Sequence, residues 1–194
     1  MSVGYDVFED PYCYKGTTTL KNKLGLRDPA LLESFELEMT TLRANEALPR
    51  GKYDPPHYRR VHHHLFQDVY RWAGKYRTVR TSKAGNPFCY PEYIEREMDR
   101  LFATLSQSLA AENSEQFVHQ AARFLAELNA IHPFREGNGR AQLTFMSMIS
   151  QRAGFPLDFA AVQRDSFLPA MIASYAGELG PLISELRSLL GSAL

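Results

Sequence analysis

Nine consecutive residues, positions 132–140, combine groups that can move a proton with groups that can bind phosphate. His132 begins the segment and Arg140 ends it; Glu136 lies between them and is followed by a Gly-Asn-Gly triplet. An imidazole accepts a proton near neutral pH, and a guanidinium matches the geometry of a phosphate. A glutamate oxygen is the kind of ligand that Mg²⁺ takes when it bridges phosphates. The segment therefore predicts Mg-nucleotide binding beside a base for an incoming hydroxyl.

Two helices are expected to position this segment, because apolar residues recur at helical spacing on either side of it. Pro133 forbids the first helix from continuing. The second helix starts near the glycine-flanked Asn138, and its first amides lack partners inside the helix. Those amides and the helix dipole form an anion site that the glycines leave open to a phosphate. The periodic residues are Phe117, Ala121, Phe124, Leu125, Leu128 and Ile131 before the loop and Leu143, Met146 and Ile149 after it.

Each of these residues also has a structural interpretation. A lone histidine at a helix end is usually structural, and a Gly-Asn-Gly triplet is most often a turn. Glu136 and Arg140 are four positions apart and can pair on a helix surface. The functional interpretation depends on their occurrence together in one short segment.

The string HPFREGNGR at positions 132–140 resembles the signature of the Fic family, HxFx(D/E)GNGRxxR. The resemblance implies an all-α fold and transfer of AMP from ATP, with Mg²⁺, to a protein hydroxyl. It implies that His132 deprotonates the target hydroxyl and that Arg140 stabilises charge on the leaving pyrophosphate. It also implies that Glu136 holds Mg²⁺ and that Phe134 anchors the loop in the core. The α- and β-phosphates would be bound by Gly137, Asn138 and Gly139.

One position departs from the family pattern. Leu143 stands where relatives carry a second arginine, which contacts the γ-phosphate and pairs with an inhibitory glutamate. The departure leaves alternatives open: another donor, removal of AMP, or a catalytically silent protein-binding module. The chain has no credible inhibitory helix, so we expect a stand-alone bacterial toxin held by a small antitoxin, ahead of an effector secreted into a host. Analogy with toxin-like relatives suggests topoisomerase subunits as targets.

Residues 76–90 differ in pattern from the helical segments. A turn cluster at 83–87 separates a second short strand, Phe88–Tyr90, from a first strand made of Thr78, Val79, Arg80 and Thr81. This arrangement predicts a β-hairpin, whose exposed edge can hold an extended peptide by strand addition. The resemblance implies that the hairpin is a flap that aligns the target peptide beside His132. A plain connector is the alternative.

Composition limits the other partners that we expect. The 194 residues carry 22 Lys+Arg and 22 Asp+Glu, a formal net charge of zero, which argues against nucleic-acid or membrane-surface binding. No apolar run approaches the ~20 residues that span a bilayer. The polar N-terminus has no signal-peptide core, and Cys13 and Cys89 are typical of reduced thiols, although a disulfide stays possible. We therefore expect a cytoplasmic protein.

Two Asp-Pro pairs predict helix starts at Asp28 and Asp54. The second helix is expected to continue to Gly74, and it carries three adjacent histidines at 62–64. Adjacent side chains on a helix point in different directions, so these histidines cannot jointly bind one metal. The architecture expected is one Fic domain, residues 1–194, built as a helical bundle with an N-terminal arm over about 1–27.

Overall fold

The structure, a computed structural model, describes residues 10–83, 86–105 and 110–191. The chain is mainly helical over these ranges, as predicted. One antiparallel strand pair is present, β1 (Ser82–Lys83) with β2 (Asn86–Pro87). Short 3-10 helices lie at Pro91–Tyr93 and Phe159–Ala161. The α-helices that the structure describes are α1 (Pro29–Ala44), α2 (Pro55–Phe66), α3 (Ile94–Ala103), α4 (Ser114–Ile131), α5 (Asn138–Ala153), α6 (Arg164–Tyr175) and α7 (Gly180–Ser188).

Both predicted Asp-Pro helix starts are confirmed. Asp28 Oδ1 accepts a hydrogen bond from the Ala30 amide at 2.8 Å, and α1 begins at the intervening proline. Asp54 Oδ1 accepts from the His57 amide at 2.8 Å at the start of α2. In each case the carboxylate satisfies an amide that the first turn leaves without a partner.

The predicted extension of α2 to Gly74 is wrong, because the helix ends at Phe66. Residues 67–74 turn back instead, and Gly74 adopts a positive φ of 76°. The Gly74 amide donates to His62 Nδ1 at 2.9 Å, and its carbonyl accepts from Arg59 Nε at 2.9 Å. A continuous helix would carry Gly74 roughly 18 Å from His62, so the turn replaces helical bonds with bonds to the side chains of α2.

Helix α4 lies at the centre of the bundle and packs against α3, α5, α6 and α7. Its inward residues, among them Phe117, Val118 and Leu125, are completely buried. Helix α2 packs against α5 and α1. The loop at 132–137 therefore joins two helices that the core holds firmly. No helix within the described ranges is both long and apolar enough to cross a bilayer.

The described part of the N-terminal arm lies against the turn after α2. Cys13 forms an isolated antiparallel bridge with Leu20, and the Tyr12 ring meets the Trp72 ring edge-on with centroids 5.6 Å apart. Cys13 and Cys89 are both free thiols, as expected. The first nine residues of the predicted arm lie outside the described residues.

The hairpin is shorter than predicted. Ser82 pairs with Pro87 and Lys83 with Asn86, while the strands predicted at 78–81 and 88–90 are wrong. The Thr78 amide instead donates to the Tyr12 hydroxyl at 3.1 Å. The N-terminal arm thus accepts a hydrogen bond that a neighbouring strand would otherwise accept. Positions 84 and 85, at the tip of the predicted flap, lie outside the described residues.

Candidate active site

His132 lies directly after the last residue of α4 and caps that helix. Its backbone is left-handed, with φ 49° and ψ 60°, and its amide donates to the Leu128 carbonyl at 3.0 Å. A residue with a Cβ rarely adopts this conformation, which costs on the order of 1–3 kcal/mol and needs support from its surroundings. The Phe88 ring lies flat on the imidazole, with centroids 3.8 Å apart and an interplanar angle of 9°.

Arg77 supplies much of that support, and nothing in the sequence pointed to it. Its Nε donates to the His132 carbonyl at 2.8 Å, and its main-chain amide donates to the Pro133 carbonyl at 2.8 Å. The two terminal nitrogens donate to three further carbonyls, those of Ile131, Val79 and Cys89. The guanidinium is buried, and burial lowers its pKa from the usual arginine value.

Asn138 closes the loop between the two helices. Its Oδ1 accepts from the Phe134 amide at 3.0 Å, and its Nδ2 donates to the Phe134 carbonyl at 2.8 Å. Asn138 is buried, and both ends of its side chain are used by these bonds. The predicted contact between Asn138 and phosphate is therefore restricted to its main-chain amide.

His62 holds the same loop from the α2 side. The Gly74 amide donates to Nδ1, so Nε2 carries the proton and donates to the Glu136 carbonyl at 2.9 Å. The imidazole also stacks on the buried Phe134 ring, with centroids 3.7 Å apart. Burial lowers the pKa of His62 to about 3, so the ring is neutral at physiological pH.

The two glycines of the triplet have different roles. A Cβ on Gly137 would lie 2.2 Å from a carbon of the Phe66 ring, and the residue has φ 81°, so packing alone requires glycine there. A Cβ on Gly139 would meet no atom within 4 Å, and the residue is exposed. Gly139 thus marks the open side of the α5 N-terminus, where helix geometry leaves amides without internal partners.

Glu136 is half-buried beside this open end. Its Oε1 accepts from the Gly137 amide at 2.9 Å, which orients the carboxylate along the loop. A carboxylate has a second oxygen, and Mg²⁺ is commonly held by one or two carboxylates together with substrate phosphates. Glu136 thus fits the metal role that the resemblance implies. No group of three His, Cys, Asp or Glu side chains that could hold a metal occurs in the ranges described.

Arg140 forms an ion pair, but not with Glu136. Its Nη2 donates to Glu36 of α1, and its Nη1 lies 3.2 Å from the Thr40 hydroxyl. The guanidinium also covers the Phe66 ring, 4.7 Å from the centroid. Glu36 accepts a second bond from the Tyr70 hydroxyl; burial first, and then the carboxylate, raise the pKa of Tyr70. Helix α1 therefore holds the guanidinium of Arg140 in place through Glu36 and Thr40.

The remaining predicted positions lie further from the loop. Leu143 is half-buried and packs against the core, so an apolar side chain stands where the Fic signature has its second arginine. In the flap segment, Arg80 lies over the Tyr90 ring at 4.2 Å from the centroid. An open cleft of about 380 Å³ lies beside Phe88 and is lined mainly by aromatic residues and Ala130, next to the end of α4.

Comparison with known proteins places this geometry in a family. The profile of the Fic/DOC family matches residues 52–150, from the start of α2 through most of α5. The chain belongs to the Fic/DOC family. A relative from Sinorhizobium fredii, named probable protein adenylyltransferase y4lH, is 52% identical over 191 residues, covering 97% of this chain and 100% of the relative.

Solved Fic structures share the fold. BepC, a VirB-translocated effector protein of Bartonella tribocorum with bound AMPPNP, superposes with a TM-score of 0.81 at 30% identity, covering 93% of this chain and 96% of that one. The N-terminal Fic domain of a VirB-translocated Bep effector protein from Bartonella quintana, with bound ADP, gives a TM-score of 0.82 at 29% identity, covering 93% and 94%. The predicted all-α Fic fold is confirmed.

Proposed function

We propose that this chain is a protein adenylyltransferase, which transfers AMP from ATP to a serine, threonine or tyrosine hydroxyl of another protein. One observation carries the proposal: a single braced loop has His132 at one end and the open N-terminus of α5 at the other. Relatives named as protein adenylyltransferases support it, as do the nucleotides bound to similar structures.

The chemistry follows from the two ends of the loop. His132 accepts the proton of the target hydroxyl, and the hydroxyl oxygen attacks the α-phosphorus of ATP. The bond from that phosphorus to the bridging oxygen breaks, and pyrophosphate leaves. The first amides of α5 and the guanidinium of Arg140 stabilise the charge that develops on the phosphates, which is the main contribution in phosphoryl transfer. Mg²⁺ held by Glu136 would neutralise part of the same charge.

The flap segment, residues 76–90, is assigned to the target peptide through Thr78–Thr81, because an exposed edge beside a rigid scaffold offers main-chain partners to an extended chain. Thr78 is partly engaged by Tyr12, so peptide binding there involves the N-terminal arm.

The finer assignments rest on the resemblance alone and stay predictions. They are the toxin role in the bacterial cytoplasm, the small antitoxin, and topoisomerase subunits as targets. Growth arrest on expression, relieved by a co-expressed neighbouring gene product that binds the chain, is the outcome expected for a toxin.

Transfer of label from α-phosphate-labelled ATP to proteins of a bacterial lysate tests the proposed function. The parent should label at least one protein in the presence of Mg²⁺, and His132→Ala should lose labelling by a factor of at least about 10². His119→Ala is the matched control, because that histidine is exposed on α4 and pairs with the surface residue Glu115. Equal labelling by parent and His132→Ala would contradict the proposed base.

A further inference from the structure

The strongest feature without an assigned role is the set of contacts that hold His132 in place, made by Arg77 and Phe88. Arg77 is buried; its guanidinium donates to four main-chain carbonyls, and its main-chain amide donates to a fifth. No carboxylate in the described part of the chain lies within 4.0 Å of it. An arginine stays protonated even when buried, and an unpaired buried charge is costly to place. Its surroundings must therefore compensate the charge in another way.

The end of α4 provides that compensation. The carbonyls of Ile131 and His132 lie at the helix C-terminus, where the last carbonyls lack internal partners and the helix dipole is negative. The guanidinium fork spans these carbonyls and, on its other side, those of Val79 and Cys89. Arg77 therefore binds the end of α4 to both limbs of the flap segment.

Phe88 fixes the ring of His132 from the same segment. Its ring is parallel to the imidazole, and its amide donates to the Thr81 carbonyl at 3.1 Å, which anchors it to the other limb of the flap. The adjacent Cys89 amide donates to the Ala130 carbonyl at 3.1 Å and ties this limb to α4. The backbone and the side chain of His132 are thus held by two residues of one segment.

We propose that Arg77 and Phe88 are positioning residues for proton transfer at His132. The flap segment then positions the base in addition to binding the target. Arg77 holds the left-handed backbone through the His132 carbonyl, and Phe88 sets the plane of the imidazole. The inference rests on the proposed function, in which His132 is the base. Neither residue touches the Gly137–Arg140 anion site, so nucleotide binding is independent of both.

Steady-state kinetics of the variants Arg77→Lys and Phe88→Ala test the proposal. Lysine keeps the charge but loses the fork, and a displacement of the base by about 1 Å lowers kcat by about 100-fold. Loss of the ring contact should lower kcat by about tenfold, whereas Phe88→Tyr should retain the parental kcat. KM for ATP should stay within about twofold in every variant. Arg123→Lys, an exposed position on α4, is the matched control.

A spectroscopic readout separates positioning from general stability. Stacking at 3.8 Å shields the ring protons of His132, so their NMR resonances should lie upfield in the parent and move downfield in Arg77→Lys and Phe88→Ala. Should Arg77→Lys fail to fold, the two Phe88 variants decide alone. Unchanged kcat, or a fall in kcat matched by a rise in KM for ATP, would overturn the inference.

The two proposals fail in different ways. Suppose that the parent labels no protein, while its His132 resonances are shielded and change in Arg77→Lys. That result would contradict the proposed function but not the positioning of His132 by Arg77 and Phe88. If the parent labels its target normally and the His132 resonances are unchanged in both Arg77→Lys and Phe88→Ala, only the positioning role of Arg77 and Phe88 would be contradicted.

Discussion

Acidification from pH 7.5 to pH 5.0 should destabilise this fold through His62. Burial lowers the pKa of His62 in the folded protein to about 3, against 6.5 for an exposed imidazole. Below about pH 6.5 the unfolded chain therefore binds a proton at His62 that the folded chain does not bind. The stability that His62 contributes is complete above pH 6.5 and is lost as the pH falls towards 3.

The size of the loss follows from the same two values. Each pH unit below 6.5 costs about 1.4 kcal/mol, so His62 should lower the free energy of unfolding at pH 5.0 by roughly 2 kcal/mol. The direct cause is local, because a protonated Nδ1 could no longer accept the Gly74 amide. The bond from Nε2 to the Glu136 carbonyl favours the charged ring, but burial opposes it and outweighs it, so the pKa stays low.

Urea unfolding measured by far-ultraviolet circular dichroism provides the assay. Fluorescence is less suitable, because the single tryptophan, Trp72, lies 6.2 Å from the His62 ring and responds directly to its charge. His62→Gln removes the titrating group and should lose roughly 2 kcal/mol less than the parent over this range. His63→Gln, at the exposed neighbouring position, should behave as the parent. The same pH dependence in the parent and His62→Gln would refute the reasoning.

Two further predictions concern the loop. Gly137→Ala should lower the free energy of unfolding by about 2–4 kcal/mol, because its Cβ would lie 2.2 Å from the Phe66 ring. Gly139→Ala should change the free energy of unfolding by no more than about 0.5 kcal/mol. Equal effects of the two variants in a denaturant titration would contradict this contrast. Asn138→Ala should cost about 2 kcal/mol through its two lost bonds to Phe134, and a melting temperature equal to that of the parent would count against the brace.

The helices beside the site could be predicted because their signals are local. An aspartate before a proline caps both α1 and α2 within three residues of itself. The apolar stripes of α4 and α5 repeat within each helix, and Pro133 stands where α4 ends. The Fic signature then indicated which residues of the connecting loop are candidates for catalysis and for metal and nucleotide binding.

The end of α2 depends on partners that the local pattern does not contain. Val69 and Trp72 continue the apolar spacing of α2, and both pack in or against the core although they lie in turns. The turn forms because the Gly74 amide reaches His62, twelve positions earlier. An apolar repeat at helical spacing indicates which side chains are buried, but a turn that folds back can bury the same side chains, so the repeat does not show where the helix ends.

The supports of the site were missed for a related reason. Arg77 lies in a polar stretch, and its partner His132 is 55 positions away, so no short pattern links them. Glu36 and His62 did leave a signal. Each lies on the buried face of its helix, Glu36 four positions from Leu32 and His62 four positions from Tyr58. A polar residue in such a place needs a buried partner.

Mass spectrometry of a modified target tests the central claim most directly. Bacterial lysate proteins are incubated with the parent chain and Mg-ATP, and modified proteins are measured intact and then as fragments. The account predicts a mass gain of one AMP on a serine, threonine or tyrosine, absent when His132→Ala replaces the parent. An added group other than AMP, or the same AMP adduct formed by His132→Ala, would contradict it.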